Sequence, residues 1–338
     1  MAMTLKELGR LAGVHPSTVA RVLNDDPHQR VSEEVRARII ALAREHGYQP
    51  NNLARSLRTK RSFVVGTVIP DIANPFFAIL FRGVEDAMAA GGYSVIMANT
   101  DDEEAREQRS ITMLRGRQVD GLLLATTRRH DPTIEALEAA EFPFVLVNRH
   151  TDPIPGNAVV PDDHAGAVAA VEHLIALGHR RIAHIAGPDE MSTGYTRRQG
   201  YLDTIKRHRL PLDPDLVVLG SYRESGGYAA MRRLLGLPLP PTAVFAVNDL
   251  AAAGAIRAIE EAGLQVPRDI SIVGFNDLSA VIGTARLLTT VRLPLQEMGA
   301  AAAERLLAHI TGKNVSPKPV VIPVELVVRQ STGPAPAS

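Results

Sequence analysis

Residues 4–24 read TLKELGRLAGVHPSTVARVLN, and the rest of the chain is organised around this stretch. Thr4 and Glu7 have capping-box spacing, so a helix should start at Leu5. Leu5, Leu8 and Ala12 then recur on one helical face. Gly13 tolerates the positive φ that ends a helix. Pro16 suits the first position of a second helix, because its fixed φ fits and its missing N–H costs nothing there. Val19, Val22 and Leu23 give that helix a small apolar side, while Ser17, Thr18 and Arg21 lie near its start or on other faces.

Two short helices around a Gly turn, with polar residues at the front of the second, match a helix-turn-helix. Such a second helix can enter the DNA major groove with its first residues toward base edges. Pro16, Ser17 and Arg21 are the candidates, and Arg21 suits a bidentate contact to guanine. The same pattern would also serve an ordinary helical hairpin inside another domain.

Charge favours the first reading. Lys plus Arg equals Asp plus Glu over the whole chain, at 37 each. Residues 1–62 nevertheless carry 11 basic and 6 acidic side chains, leaving the remainder acidic. A basic head on an acidic body points to a polyanion partner for the head alone. There is no cysteine, hence no disulfide framework and no cysteine-ligated zinc. The N-terminus lacks an apolar signal core and no apolar run reaches membrane-spanning length, which predicts a cytoplasmic protein with no membrane contact.

A third helix should open at Ser32, with Glu33 and Glu34 in its first turn where the helix dipole favours acids, present Val35, Ile39 and Leu42 to the first two helices, and end at Gly47. Residues 51–62 carry Arg55, Arg58, Lys60 and Arg61 and no acid, a solvated basic linker by composition. From Phe63 onward short apolar runs alternate with helical stretches in two successive series, FVVGTVI to FPFVLV and RIAHIAG to ISIVGF. Continuous apolar strands alternating with helices mean parallel sheets covered on both faces. The expected architecture is an all-α helix-turn-helix headpiece followed by an α/β body of two doubly wound subdomains. A helix at 294–311 and one strand near 319–328 should return across the boundary between them. The expected divisions are 1–50 for the headpiece, 51–62 for the linker and 63–330 for the body. Within the body, 63–161 with 293–321 should form one half and 162–292 with 322–330 the other, leaving 331–338 as a disordered tail.

The first stretch, together with VSEEVRARIIALAREHGYQPNNLARSLRTKRS at 31–62, resembles the headpiece of the lactose/galactose repressor family, and the likeness runs to about residue 330. The resemblance implies a homodimeric transcriptional regulator, a repressor, bound to a near-palindromic operator on double-stranded DNA and switched by a small molecule held between the subdomains. The implied body is periplasmic-binding-protein-like. It also implies that the linker forms a hinge helix on DNA, with Leu57 wedged into the minor groove and Ala54 beside it. The DNA-contacting set on this reading is Thr4, His15, Pro16, Ser17, Thr18, Arg21, Asn24, Arg30, Asn51, Ala54, Arg55 and Leu57. His15 stands where the family has Ser at the recognition-helix cap. The Pro- and Ala-rich tail carries no heptads, which predicts a dimer rather than a tetramer.

Open parallel sheets bind ligands beyond the carboxyl ends of their strands. Those ends give Asp71 and Asn74, Thr126 and Thr127, and Asn148 and Arg149 in the first series. The second gives Ser221 and Tyr222, Asn248 and Asp249, and Asn276 and Asp277. Amides, hydroxyls and carboxylates of this kind suit a polyhydroxylated ligand, although each position also precedes a helix, where the same residue types serve as caps. The resemblance adds Phe76 and Phe77 from NPFF and Arg197 from GYTRRQGY, and it also picks out Asp162, Tyr222, Asn248 and Asn276. The expected ligand set is therefore Asn74, Phe76, Phe77, Thr126, Asn148, Asp162, Arg197, Tyr222, Asn248 and Asn276. The family usually has Asp at position 276 and often at 148, so the two amides leave room for a sugar acid as well as a sugar.

Two other classes fit the sequence less well. A solute-binding protein of a sugar transporter would share the two-lobed body, but it calls for a signal peptide and no headpiece. An enzyme would need a motif such as G-x-S-x-G, a P-loop or H-E-x-x-H, and none is present. His173, His179 and His184 are close in sequence, yet they span a helix, its end and a strand, so packing and capping explain them better than a metal. No catalytic residue, metal or cofactor is expected.

Overall fold

In the computed structural model, residues 3–23, 31–48, 59–278 and 288–336 are described. The chain divides into two compact units, 1–62 and 63–338.

In the first unit, Thr4 and Glu7 close the capping box at the start of α1 (Leu5–Ala12), and Gly13 ends it at φ 67°. Then come α2 (Pro16–Leu23) and α3 (Glu33–Glu45), the latter capped by Ser32. Leu8, Ala12, Val19, Val22, Ile39 and Ala43 form the buried core, with Leu5, Val35 and Leu42 packed on it. So small a core leaves this unit only marginally stable by itself.

The second unit alternates strand and helix. The first series runs β1 (Val64–Ile69), α4 (Pro75–Ala90), β2 (Ser94–Asn99), α5 (Glu104–Gly116), β3 (Gly121–Leu124), α6 (Pro132–Ala139), β4 (Phe144–Val147) and β5 (Ala158–Pro161). The second runs α7 (Asp163–Ala176), β6 (Ile182–Ala186), α8 (Ser192–Arg207), β7 (Val217–Leu219), α9 (Glu224–Leu235), β8 (Ala243–Ala246), α10 (Asp249–Glu261), β9 (Ser271–Asn276) and β10 (Thr289–Arg292). The returning elements are α11 (Leu295–Thr311), β11 (Val320–Ile322) and β12 (Glu325–Val327). One sheet has the order β11-β5-β4-β3-β1-β2 and the other β12-β10-β9-β8-β6-β7. Every pairing is parallel except β10 with β12. In both sheets the order reverses at the first strand of the series, and ligands of open α/β sheets bind at such a switch point.

Close helix crossings set each lobe. A Cβ on Gly83 of α4 would overlap the Gln296 carbonyl of α11, and one on Gly299 the Leu80 carbonyl. Gly227 and Gly254 play the same part between α9 and α10.

Three expectations are corrected. The single strand expected near 319–328 is two strands in different sheets, because Pro323 has no N–H to continue a ladder and the chain passes there from one sheet to the other. Strands β5 and β10 lie outside the two expected series; both are four residues long, and each takes its place through pairing with distant strands, β5 with β11 and β10 with β9 and β12. The tail is not disordered over 331–336. Ser331 is buried and its Oγ donates to the Ile272 carbonyl at 2.6 Å, the Gly333 N–H donates to Ser271 Oγ at 3.1 Å, and the Ala335 N–H to the Leu177 carbonyl at 2.9 Å. These polar contacts carry no apolar periodicity, so the tail's Pro and Ala content hid them.

The three histidines are used in packing. His173 Nε2 and Thr332 Oγ1 lie 2.9 Å apart, and His179 bridges Thr242 and Ser271. His184 stacks on Tyr201 and Phe245, and burial pushes it down to about 4, so it stays neutral.

Candidate functional site

In the helical unit, Ser17 and Arg21 are both exposed and lie four residues apart, hence on one face of α2. Pro16 and Thr18 are half-buried beside them. His15 takes over the capping role: its Nδ1 accepts the Ser17 N–H at 3.2 Å and lies 2.7 Å from Ser17 Oγ. A ring nitrogen thus satisfies one of the orphan donors that a serine hydroxyl would otherwise take. Thr4 is committed to its capping box at the start of α1. Asn24, Arg30, Asn51, Ala54, Arg55 and Leu57 lie outside the described residues.

In the second unit a cleft opens at the carboxyl ends of both sheets, with about 670 Å³ of space that includes its solvent-filled mouth. It gathers Asn74, Phe76, Phe77, Asn148, Arg197, Tyr222, Asn248 and Asn276 from the expected set. Asn74 and Asn248 also cap α4 and α10, and the Asn248 amide donates to the Tyr222 carbonyl at 2.9 Å. Tyr222 OH and Thr193 Oγ1 are 2.7 Å apart. Asn148 and Asn276 differ: both are buried at positive φ, and each Oδ1 is without a hydrogen-bond partner among the described residues. Each leaves an unsatisfied acceptor at the cavity lining.

Two expected residues lie outside the lining. Thr126 is buried and donates to Glu107, a carboxyl whose pKa is raised by burial. Asp162 caps α7 by accepting the Ala165 N–H at 3.0 Å, so the capping reading fits it.

Arg197 is 2 % exposed; its Nε donates to Asp163 at 2.7 Å and its Nη1 to the Val247 carbonyl at 2.7 Å, and the guanidinium lies 3.8 Å from the centre of the Phe275 ring. Burial raises the Asp163 carboxyl and the Arg197 charge opposes that rise. Arg149 is equally deep, with Nη1 donating to Asp102 at 2.7 Å. Burial works against its charge, and Asp102, Tyr222 and Glu107 together more than offset it.

The contributions of Asp102, Thr193, Pro188 and Arg223 were missed. Asp102 follows β2 in a turn with no cue to a distant partner, and Thr193 lies in the first turn of a helix. Arg223 pairs with Asp71 at 3.0 Å across the cleft mouth. A similar contact links the lobes elsewhere: the His150 N–H donates to Ser192 Oγ at 3.0 Å. Among the described residues no cluster suits a metal ion, and no helix is long and apolar enough to cross a membrane.

Comparisons with known proteins agree with this division. A family model described as periplasmic binding proteins and sugar binding domain of LacI family matches residues 62–330, and one for bacterial regulatory proteins of the lacI family matches 4–51. The ribose operon repressor of Escherichia coli (strain K12) is 38% identical over 91% of this chain and 93% of its own. The transcriptional repressor CytR of the same strain is 35% identical over 98% and 96%. Among solved structures, a lac repressor dimer bound to operator and the anti-inducer ONPF aligns at TM-score 0.86, 29% identity, over 98% of this chain and all of that one. A CelR–cellobiose complex aligns at 0.74 with 33% identity, over 97% and 99%. Fold and site define a bacterial transcriptional regulator that joins a helix-turn-helix to a body of the periplasmic-binding type. The chain belongs to the LacI family.

Proposed function

We propose that this protein is a repressor that binds a near-palindromic operator as a homodimer and is switched by a sugar or sugar derivative held between its two subdomains. Ser17 and Arg21 read base edges from α2, and basic residues of the headpiece supply salt-sensitive phosphate contacts. Two-fold symmetry of the dimer matches two half-sites. The observation that carries the reading is the cavity itself: a cleft at both switch points, lined in part by buried side chains with unsatisfied donors and acceptors. A ligand that fits both lobes shifts the protein toward the state it prefers, by no more than its differential affinity for the two states. The relatives, a ribose operon repressor and a regulator in complex with cellobiose, support a sugar-like effector. No step in this account needs a catalytic residue or a cofactor, and the reading places the protein in the cytoplasm.

The test is operator binding by fluorescence anisotropy at fixed salt, using DNA from upstream of the protein's own gene, with and without sugars, sugar acids and nucleosides. Tight, salt-sensitive binding changed by one compound is expected. Failure to bind even non-specific DNA at low salt would overturn the reading.

A further inference from the structure

We propose that the effector carries an oxyanion: it is a polyhydroxylated molecule with one carboxylate or phosphate, and the negative group seats against Arg149. This rests on the cleft being the effector site. Three observations converge on it.

The first is the balance of charge. Arg197 is neutralised by Asp163 beneath it, and Arg223 by Asp71 at the mouth. Arg149 has its partner at the surface instead. Its side chain is 4% exposed, whereas that of its partner Asp102 is 40% exposed. Water screens the carboxylate more than the guanidinium, so the buried cation keeps part of its attraction for an anion in the cavity.

The second is an unmet donor. Arg149 Nε is buried and has no hydrogen-bond partner among the described residues. A buried guanidinium N–H left unpaired is costly, and an oxyanion supplies a charge-assisted acceptor for it. Asn148 and Asn276, which line the same cavity, are uncharged amides.

The third is the backbone. Helices α8 and α9 begin without a side-chain cap, and Thr193 and Arg223, at those two starts, line the cavity. Uncapped helix N-termini present N–H groups and the positive end of a dipole. Asn148 and Asn276 Oδ1 remain to accept hydroxyl protons from the sugar frame.

The experiment is isothermal titration calorimetry on the full chain with matched sets: D-ribose, D-ribonate and D-ribose 5-phosphate; D-glucose, D-gluconate, D-glucuronate and D-glucose 6-phosphate. At least one anionic member should bind about tenfold or more tightly than its neutral parent. The acid and ester arms tell carboxylate from phosphate. Arg149→Gln should remove that preference. Asn276→Asp, nearly isosteric and so the safer variant for folding, should weaken the anion about tenfold more than it weakens the neutral sugar. A neutral sugar that binds more tightly than its own acid and ester would overturn the proposal. So would an anion preference untouched by both variants. Binding by no member of any set, while operator DNA is still bound, would count instead against the cleft as an effector site, and the inference would fall with it.

Discussion

Arg197 shows why a residue must be judged with its partners. Truncating it would strand the Asp163 carboxylate, 5% exposed, in the interior. Breaking a buried pair from one side costs about 3–5 kcal/mol. Urea unfolding of Arg197→Ala should show a loss of that order, and Asp163→Asn in the same background should restore part of it. A lost ligand response in the single variant would therefore need the stability measurement beside it. His15→Ala should cost about 1 kcal/mol of headpiece stability by removing the cap on Ser17, and His15→Ser should recover most of it, both read from thermal unfolding. Asp249 gives a pH signature. It accepts from Thr290 Oγ1 and the Leu278 N–H, and burial pushes it up to about 7 from an ordinary 3.8, with Asp277 adding to the rise. A carboxyl raised on folding stabilises fully below its unfolded value and loses that contribution as pH climbs through the folded one. The unfolding midpoint of Asp249→Asn should thus gain on wild type between about pH 4 and pH 7; a constant gap would refute the assignment.

At the scale of elements, most boundaries could be read because local signals and burial agree. Thr4 with Glu7, Gly13, Pro16 and Ser32 mark helix ends by backbone chemistry that needs no tertiary context. The long strands β1 and β9 announce themselves as apolar runs. What could not be read depends on distant partners. Strand β5 is four residues whose pairing to β4 and β11 is non-local, and the path of the tail along Ser271 and Leu177 is fixed by hydrogen bonds rather than by apolar pattern. The site divides in the same way. Strand-end residues such as Asn148 and Asn276 follow from topology, but Thr126 turns inward to Glu107, and Asp102 owes its place to Arg149, 47 positions away. The glycine crossings are a further non-local demand. Gly83→Ala should push α4 off the Gln296 backbone of α11 and cost about 1–3 kcal/mol in urea unfolding.

For the whole molecule the account joins two chemistries on one chain, a small basic reading head and a two-lobed body whose closure a ligand can bias. Coupling between such sites is worth 5- to 150-fold in affinity, about 1–3 kcal/mol. The chain has no cysteine, so a single engineered pair can clamp the lobes without side reactions. Asp71 and Arg223 meet across the cleft mouth at 3.0 Å and are the natural positions. The decisive measurement is the operator affinity of D71C/R223C before and after bridging with a short bis-maleimide, at one salt concentration and without ligand. The account predicts that bridging alone shifts the dissociation constant about fivefold or more and abolishes any further response to effector. Equal affinity in the bridged and unbridged forms, with the effector response intact in both, would contradict it.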